Sequence, residues 1–419
     1  MTDEPGEPVS PHGDSEPMQR WVRRDSRPPD GDGTGGPGPA AGYRPVPPDH
    51  LNGRSDDRSI VTRPPRPQAG GPPVPRGHDP WSEIRHLSAT GPEALPIGIW
   101  GSPASGKSTY LASLQHATGN ASRSLGTWAV YARTEQSAEL LSNWNAQLVG
   151  DHKFPEATDI AAATPLRWRF KGDLAGSRYQ LPWRRLRRVP EPSAFDLDLI
   201  DVSGEVFGPR PADKEVPRDV VTRTLDHLAN ARGLIFLFDP LREREEPTVV
   251  NYMNRTLTQL ASRVEGAGRT TGLYLPHYIS VCVTKFDDQM LFQQACRAGF
   301  VNSGRDGIPR VLDKHAELFF DALCQGTFWG ETDERGSGGP KFVRAQLKKF
   351  FHPTRIQYYV TSSIGFNLGA DGRFDPARYS MVREQEKNNK IDKRIIGTIE
   401  PINVLEPLVD LYMKLRGRS

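Results

Sequence analysis

Residues 95–114 read LPIGIWGSPASGKSTYLASL. An apolar run, LPIGIW (Leu95 to Trp100), has the length and character of a buried strand. It passes without interruption into Gly101-Ser-Pro-Ala-Ser105-Gly106-Lys107-Ser108, and then into TYLASLQHA, which has a helical pattern. The central octet matches G-x(4)-G-K-[ST], the phosphate-binding loop. Its glycines let the backbone wind tightly enough to aim several N–H groups at one phosphate chain. The helix that follows adds its positive dipole end. In such a loop Lys107 bridges the β- and γ-phosphates and the Ser108 hydroxyl ligates Mg²⁺. A glycine-rich turn with a surface lysine would not need a strand before it and a helix after it.

Three further strand ends carry informative residues. FDLDLI (Phe195 to Ile200) ends at Asp201-Val-Ser-Gly204-Glu205. A strand-terminal aspartate can hold Mg²⁺, and Gly204 lets a backbone N–H reach the γ-phosphate. YISVCV (Tyr278 to Val283) ends at Thr284-Lys285-Phe286-Asp287. A carboxylate at Asp287 can accept from the N1–H and 2-amino donors of guanine, a pair that adenine lacks, while the Lys285 stem packs on the base plane. IQYYV (Ile356 to Val360) ends at Thr361-Ser362-Ser363, where a backbone N–H would meet the guanine oxygen. Singly, each of these last three is a common strand-to-turn junction; their order behind a phosphate loop is what gives them weight.

The four motifs together resemble the G domain of the translation-factor-like (TRAFAC) GTPases, over roughly residues 93–415. The resemblance implies a three-layer α/β fold. Its mostly parallel, six-stranded sheet would be covered by helices on both faces, with GTP or GDP and Mg²⁺ at the carboxyl edge. It places Gly101, Ser105, Gly106, Lys107, Ser108 and Thr109 around the phosphates. Thr284, Lys285, Asp287, Ser362 and Ser363 fall around the base, and Ser108 and Asp201 at the metal. The first-switch threonine is Thr158 in FPEATDI, with Thr164 before PLRWRF as the alternative. Three stretches, GIWGSPASGKSTYLASL, GLIFLFDP and PINVLEPLVDLYMKL, are similar to the bacterial double-GTPase group associated with conflict systems.

The departures are chemical. Glu205 stands where Ras-like proteins carry the catalytic glutamine, so with Lys107 and Gly204 it occupies the catalytic positions. A carboxylate can take a proton from water but cannot donate the amide hydrogen bond, and it adds negative charge beside the γ-phosphate. Slow hydrolysis without a partner is the expectation. Arg123 and Arg133 are candidates for an arginine finger in cis. The gaps between motifs are long, and the segments near 117–157 and 288–354 read as helical insertions offering partner surfaces or a lid. An ATPase of another P-loop class and a nucleotide-holding scaffold with little hydrolysis are the competing readings.

The rest of the chain bounds these readings. Of 419 residues, 40 are glycine and 38 proline, and nearly half of the prolines fall within residues 1–80, where no lysine occurs. Such a segment cannot bury enough apolar surface to offset chain entropy, so a disordered tail is expected there, with a domain over 81–419. The RWVRR run (Arg20 to Arg24) and the basic residues Arg184, Arg185, Arg187 and Arg188 read as solvated clusters. A net charge of +3 gives no global field for nucleic acid or membrane. Three scattered cysteines make neither a disulfide framework nor a zinc site, and no apolar run is long enough to span a bilayer. A soluble, cytoplasmic protein is expected.

Between the motifs, the patterns predict helices over Tyr131–Leu148, Arg218–Ala231, Val249–Val264 and Pro401–Leu415, a half-buried or edge strand at Pro165–Phe170, where apolar and basic residues alternate, and a buried strand at Gly233–Phe238. Leu181–Arg188 reads as an exposed loop, 365–394 as an inserted loop and Ile395–Ile399 as an edge strand.

Overall fold

The structure is a computed structural model that describes residues 94–119, 125–156, 163–180, 187–202, 217–245, 249–304, 306–325, 327–329, 338–387 and 390–417. The tail 1–80 with its RWVRR run lies outside the described residues.

The chain alternates strands and helices: β1 (Ala94–Gly101), α1 (Lys107–Gly119), β2 (Thr127–Ala132), α2 (Glu135–Asn145), β3 (Ala163–Gln180), β4 (Arg187–Val202), α3 (Arg218–Asn230), β5 (Gly233–Phe238), α4 (Pro240–Glu245) and α5 (Val249–Gly266). There follow β6 (Tyr278–Val283), α6 (Gln289–Arg297), the short pair β7 (Val301–Ser303) and β8 (Pro309–Val311), α7 (Asp313–Gln325), α8 (Gly338–Phe350), β9 (Ile356–Val360), the hairpin β10 (Val382–Lys387) and β11 (Lys390–Ile395), and α9 (Glu406–Leu415).

One sheet organises the molecule, in the order β2-β3-β4-β1-β5-β6-β9. Strands β4, β1, β5, β6 and β9 run parallel, and β3 and β2 turn antiparallel at one side. GLIFLF of β5 is buried along its whole length, as a strand covered on both faces must be. Its side chains divide between two cores. Leu234, Phe236 and Phe238 join Leu257, Phe292, Phe320 and Leu347 of α5 to α8, while Ile235 and Leu237 join Tyr110, Leu141 and Leu408 of α1, α2 and α9. This is a three-layer α/β architecture built on one mostly parallel sheet.

The sheet departs from expectation by one strand. TWAVYA (Thr127 to Ala132) pairs with β3 from Thr127↔Asp173 to Ala132↔Trp168, making seven strands where six were expected. The helix expected from Tyr131 therefore starts only at Glu135, where Thr134 accepts the Ser137 N–H as N-cap. Leu181–Arg188 is not wholly a loop: Arg187 and Arg188 already belong to β4, while Arg184 and Arg185 lie outside the described residues. Within 365–394, β10 and β11 form an antiparallel hairpin apart from the main sheet. Ile395–Ile399 is not an edge strand, because Ile395 ends β11 and Gly397 turns the chain at φ 80°. The closing helix begins at Glu406 rather than Pro401, since Asn403 takes φ 50° and its side-chain amide donates to Val360 O.

The β3–β4 hairpin is much longer than its neighbours. Ladder pairs run from Ala163↔Val202 to Gln180↔Arg187, with one irregularity between Leu174 and Arg178. β2 pairs only as far as Asp173, and β1 meets β4 from Ala94↔Asp196 onward. Leu174–Gln180 and Arg187–Glu191 thus pair with each other past both neighbours, at the end away from the carboxyl edge of β1.

Candidate nucleotide site at the carboxyl edge of the sheet

The phosphate loop follows the last residue of β1. Gly101 is held from both sides. A Cβ there would sit 2.6 Å from Leu237 O and 2.6 Å from Ser105 Oγ, so no larger residue fits. The Gly101 N–H donates to the hydroxyl of Tyr252, which reaches in from α5 at 3.1 Å. The Tyr252 ring stacks on Trp100, centroids 6.2 Å apart. The turn closes through Ser105 N–H to Ser102 O at 3.1 Å, with Ala104 at φ 59° and Gly106 at φ 92°. Two left-handed residues this close are what curl consecutive N–H groups to one side. Ser105 is fully buried, and its hydroxyl has no hydrogen-bond partner among the described residues. Lys107 folds back on the loop, its ammonium donating to Gly101 O at 2.9 Å and Ser102 O at 3.1 Å. Ser108 and Thr109 stand half-buried in the first turn of α1.

Two strands away, the end of β6 is tied down tightly. The Thr284 N–H and hydroxyl both donate to Phe238 O, at 2.8 and 3.2 Å. Lys285 adopts φ 60°, a left-handed conformation that costs a bulky residue about 1–3 kcal/mol and is retained where surrounding structure enforces it. Phe286 is buried, and its N–H bonds Thr361 O at 3.1 Å. The Asp287 carboxylate accepts a hydrogen bond from Ser362 Oγ. Burial pushes the Asp287 carboxyl up to about 6, while the Ser362 hydroxyl pulls it the other way. Asp288 caps α6, accepting from Met290 N and Leu291 N. Ser362 is itself buried and locked by paired backbone bonds to Ile402; Ser363, next along, is half-buried.

Between these loops lies the β5–α4 corner, part of the GLIFLFDP stretch, in which the sequence analysis assigns no site residue. Asp239 follows β5, buried, and accepts from Leu241 N and Arg242 N at 3.1 and 3.2 Å. Its other oxygen lies 2.6 Å from the Lys285 ammonium. Glu243, fully buried on α4, accepts the Val249 N–H at 2.9 Å. Burial pushes the Glu243 carboxyl up to about 7. The Val249 N–H opposes that shift, as Ser102 of the phosphate loop does, and the Asp239 charge adds to it. Locally, the Asp-Pro step after an apolar strand reads as a helix cap.

The structure therefore gathers Gly101, Ser105, Gly106, Lys107, Ser108, Thr109, Thr284, Lys285, Asp287, Ser362 and Ser363 along one edge of the sheet. Asp201 lies one residue from the end of β4, paired in register with Thr164 of β3. Thr158, Gly204, Glu205 and Arg123 lie outside the described residues. Arg133 is not positioned as an arginine finger. Its side chain lies 3.7 Å from Asp196, and Asp196 stands opposite Ala94 at the start of β1. At ~3.3 Å per residue, that is more than 20 Å from the phosphate loop. There it joins Arg169, whose Nη2 donates to Asp196 at 2.6 Å.

Neither a protein-family model nor a curated protein matches the chain. Among solved structures, it is similar to Sup35 complexed with GDP, at 10% identity and TM-score 0.27, over 69% of this chain and 41% of that one. It is similar to the Saccharomyces cerevisiae Ski7 GTPase-like domain bound to GTP, at 12% identity and TM-score 0.29, over 80% of this chain and 52% of that one. A third is the signal recognition particle receptor SRb-GTP/SRX complex from Chaetomium thermophilum, at 14% identity and TM-score 0.27, over 65% of this chain and 93% of that one. The chain thus spans about half, or less, of the first two.

Proposed function

We propose that the chain is a GTP-binding switch that hydrolyses GTP with Mg²⁺, slowly when no partner is present. The observation that carries this reading is the placement of two loops two strands apart on one carboxyl edge: a curled phosphate loop with a buried, unpartnered Ser105 hydroxyl, and a base loop whose Asp287 carboxylate is held by Ser362. Ligands in parallel α/β sheets bind at this edge.

The residues present fit a nucleotide triphosphate. Backbone N–H groups of the loop and the Lys107 ammonium would bind the β- and γ-phosphates, Lys107 exchanging its carbonyl contacts for phosphate oxygens. Ser108, Asp201 and the first-switch threonine, Thr158 or Thr164, would hold Mg²⁺. Bound there, the ion would neutralise phosphate charge. Asp287 would accept from the guanine N1–H and 2-amino group, with the Lys285 stem on the base plane and Ser362 and Ser363 at its edge. Gly204 and Glu205 would face the γ-phosphate. Glu205 is also what keeps a scaffold role in play, since a carboxylate there lacks the amide donor.

The free thiols of Cys282, Cys296 and Cys324 fit a reducing, cytoplasmic setting. Among the described residues no helix is long and apolar enough to cross a membrane. A protein partner would meet the switch segments or the surfaces built from 117–157 and 288–354.

Titration with GTP and ATP, followed by single-turnover hydrolysis, tests the reading. GTP should bind at least a hundredfold tighter than ATP, because a buried acceptor left facing adenine is penalised. Equal affinity would overturn the guanine assignment. GTP binding with no turnover above the buffer rate would leave a nucleotide-holding scaffold.

A further inference from the structure

Asp239 does more than a helix cap requires. Its side chain is completely withdrawn from solvent, whereas that of its ion-pair partner Lys285 is 43% exposed. One carboxylate oxygen suffices for the cap, accepting from Leu241 N and Arg242 N. Serine, threonine or asparagine would cap as well without placing a charge in the interior. The second oxygen is buried without a hydrogen-bond donor among the described residues and faces the Lys285 ammonium at 2.6 Å as an ion pair. The two residues are also matched in register. Phe238 pairs with Val283 at the ends of the parallel strands β5 and β6, and Thr284 makes two bonds to Phe238 O just before Lys285. Lys285 then turns through its left-handed conformation and aims its long side chain back toward β5.

An exposed lysine stem samples many rotamers, at a cost of up to ~2 kcal/mol when fixed. A buried carboxylate that captures its ammonium removes that freedom before any ligand arrives. We infer that Asp239 is a positioning residue for base recognition: by holding the Lys285 ammonium it presents the lysine stem, already ordered, as the surface on which a guanine plane rests. This rests on the guanine reading of Thr284 to Asp287, and adds to it a residue from the neighbouring strand. Asp239 touches no nucleotide in this scheme; it acts through Lys285.

The test is isothermal titration of the full chain with GMP, GDP and GTP. Asp239→Asn keeps an oxygen for the cap and removes the charge. It should weaken all three nucleotides by a similar factor, roughly tenfold or more, because the lost order lies at the base they share. Lys285→Met, which keeps an apolar stem without the ammonium, should lose a similar factor, and the double variant should be no worse than either single one. For Asp239→Asn the single-turnover rate constant at saturating GTP should not change. A merely structural role would instead lower the rate constant and the affinity together. Unchanged affinity in Asp239→Asn, additive losses in the double variant, or a loss that grows with phosphate number would each overturn the inference while leaving the GTP assignment standing. If Asp239→Asn does not fold, Asp239→Ser, which also keeps an oxygen for the cap and removes the charge, carries the same test: it must lose affinity equally for all three nucleotides. Wild-type protein that binds no guanine nucleotide would overturn the proposed function, and this inference with it.

Discussion

Ser362 Oγ donates to the Asp287 carboxylate and accepts the Gly365 N–H at 2.8 Å, so one hydroxyl ties this acid to the turn after β9. The acid is thereby oriented but remains half-buried, and burial lifts its carboxyl to about 6.

A pH dependence of nucleotide affinity follows. Only the ionised carboxylate can accept both guanine donors, so protonation competes with binding. GTP affinity should be constant above about pH 7 and fall as pH drops through 6, reaching about tenfold weaker at pH 5 for a midpoint one unit higher. Ser362→Ala removes a hydrogen bond to the charged form and should move the midpoint upward. Titrations between pH 5 and 8 read this directly, and a flat profile would contradict the assignment of Asp287.

Asp287→Asn should exchange base preference. The amide replaces one acceptor oxygen by a donor, which opposes a guanine N–H but suits the 2-oxo group of xanthine. Competition between GTP and xanthosine triphosphate should show GTP weakened by several orders of magnitude and xanthosine triphosphate gaining in relative affinity. Retained GTP preference would reduce Thr284 to Asp287 to a strand end.

The phosphate loop should respond separately. Lys107→Ala removes the ammonium that now lies 2.9 Å from Gly101 O, and Ser108→Ala removes the proposed metal hydroxyl. Both should lower Mg²⁺-dependent GTP affinity at least tenfold, while circular dichroism and melting temperature stay near wild type. Neither should alter the ratio of guanine to xanthine nucleotide affinity, because both act on the phosphates alone.

The parts of the site legible in the sequence are those where strand and motif are contiguous. β1 and β6 are largely apolar because both faces are covered, β9 is buried over its last three residues, and each hands its motif to the carboxyl edge directly. What could not be read depends on distant contacts. Tyr252 looks like any apolar residue of an amphipathic helix, yet its hydroxyl holds Gly101, which lies 151 residues away. Asp239 reads as a cap, and nothing local announces Lys285. TWAVYA alternates in burial but not in residue type, being apolar from Trp128 to Ala132, and its last two residues fit the apolar spacing of the helix that follows. β10, VREQEK, exposes four residues in succession, so it lacks the buried alternation that marks a strand.

Glu243 supplies a prediction about stability. Its carboxyl titrates near 7 in the fold against 4.5 as its ordinary value, so between those limits the native state binds more protons than the unfolded one. Stability should therefore be fullest below about pH 4.5, decline as pH rises toward 7, and level off above. Glu406, lifted to about 7 chiefly by burial, contributes in the same direction. Glu243→Gln keeps an acceptor for the Val249 N–H and removes the ionisation. It should be more stable than wild type at pH 8, by at most ~3 kcal/mol, and equal to it near pH 4.5. Urea unfolding at the two pH values measures the difference; equal stability at both would place Glu243 in contact with solvent.

The long β3–β4 hairpin gives the molecule a lever. At one end of its ladder Thr164 stands opposite Asp201; at the other, Gln180 stands opposite Arg187, sixteen residues along β3 from Thr164 and so roughly 50 Å of extended chain away. A paired ribbon transmits displacement along its length far better than a single segment does. Anything gripping its outer portion, where β1 and β2 no longer pair with it, pulls on the same two strands that end at Thr164 and Asp201. Between the outer portion and this corner the ribbon carries Leu166, Trp168, Phe170, Phe195, Leu197 and Leu199 of the core that also holds Tyr110, Leu141 and Leu408, so load on the ribbon would be borne by that core on its way to the corner.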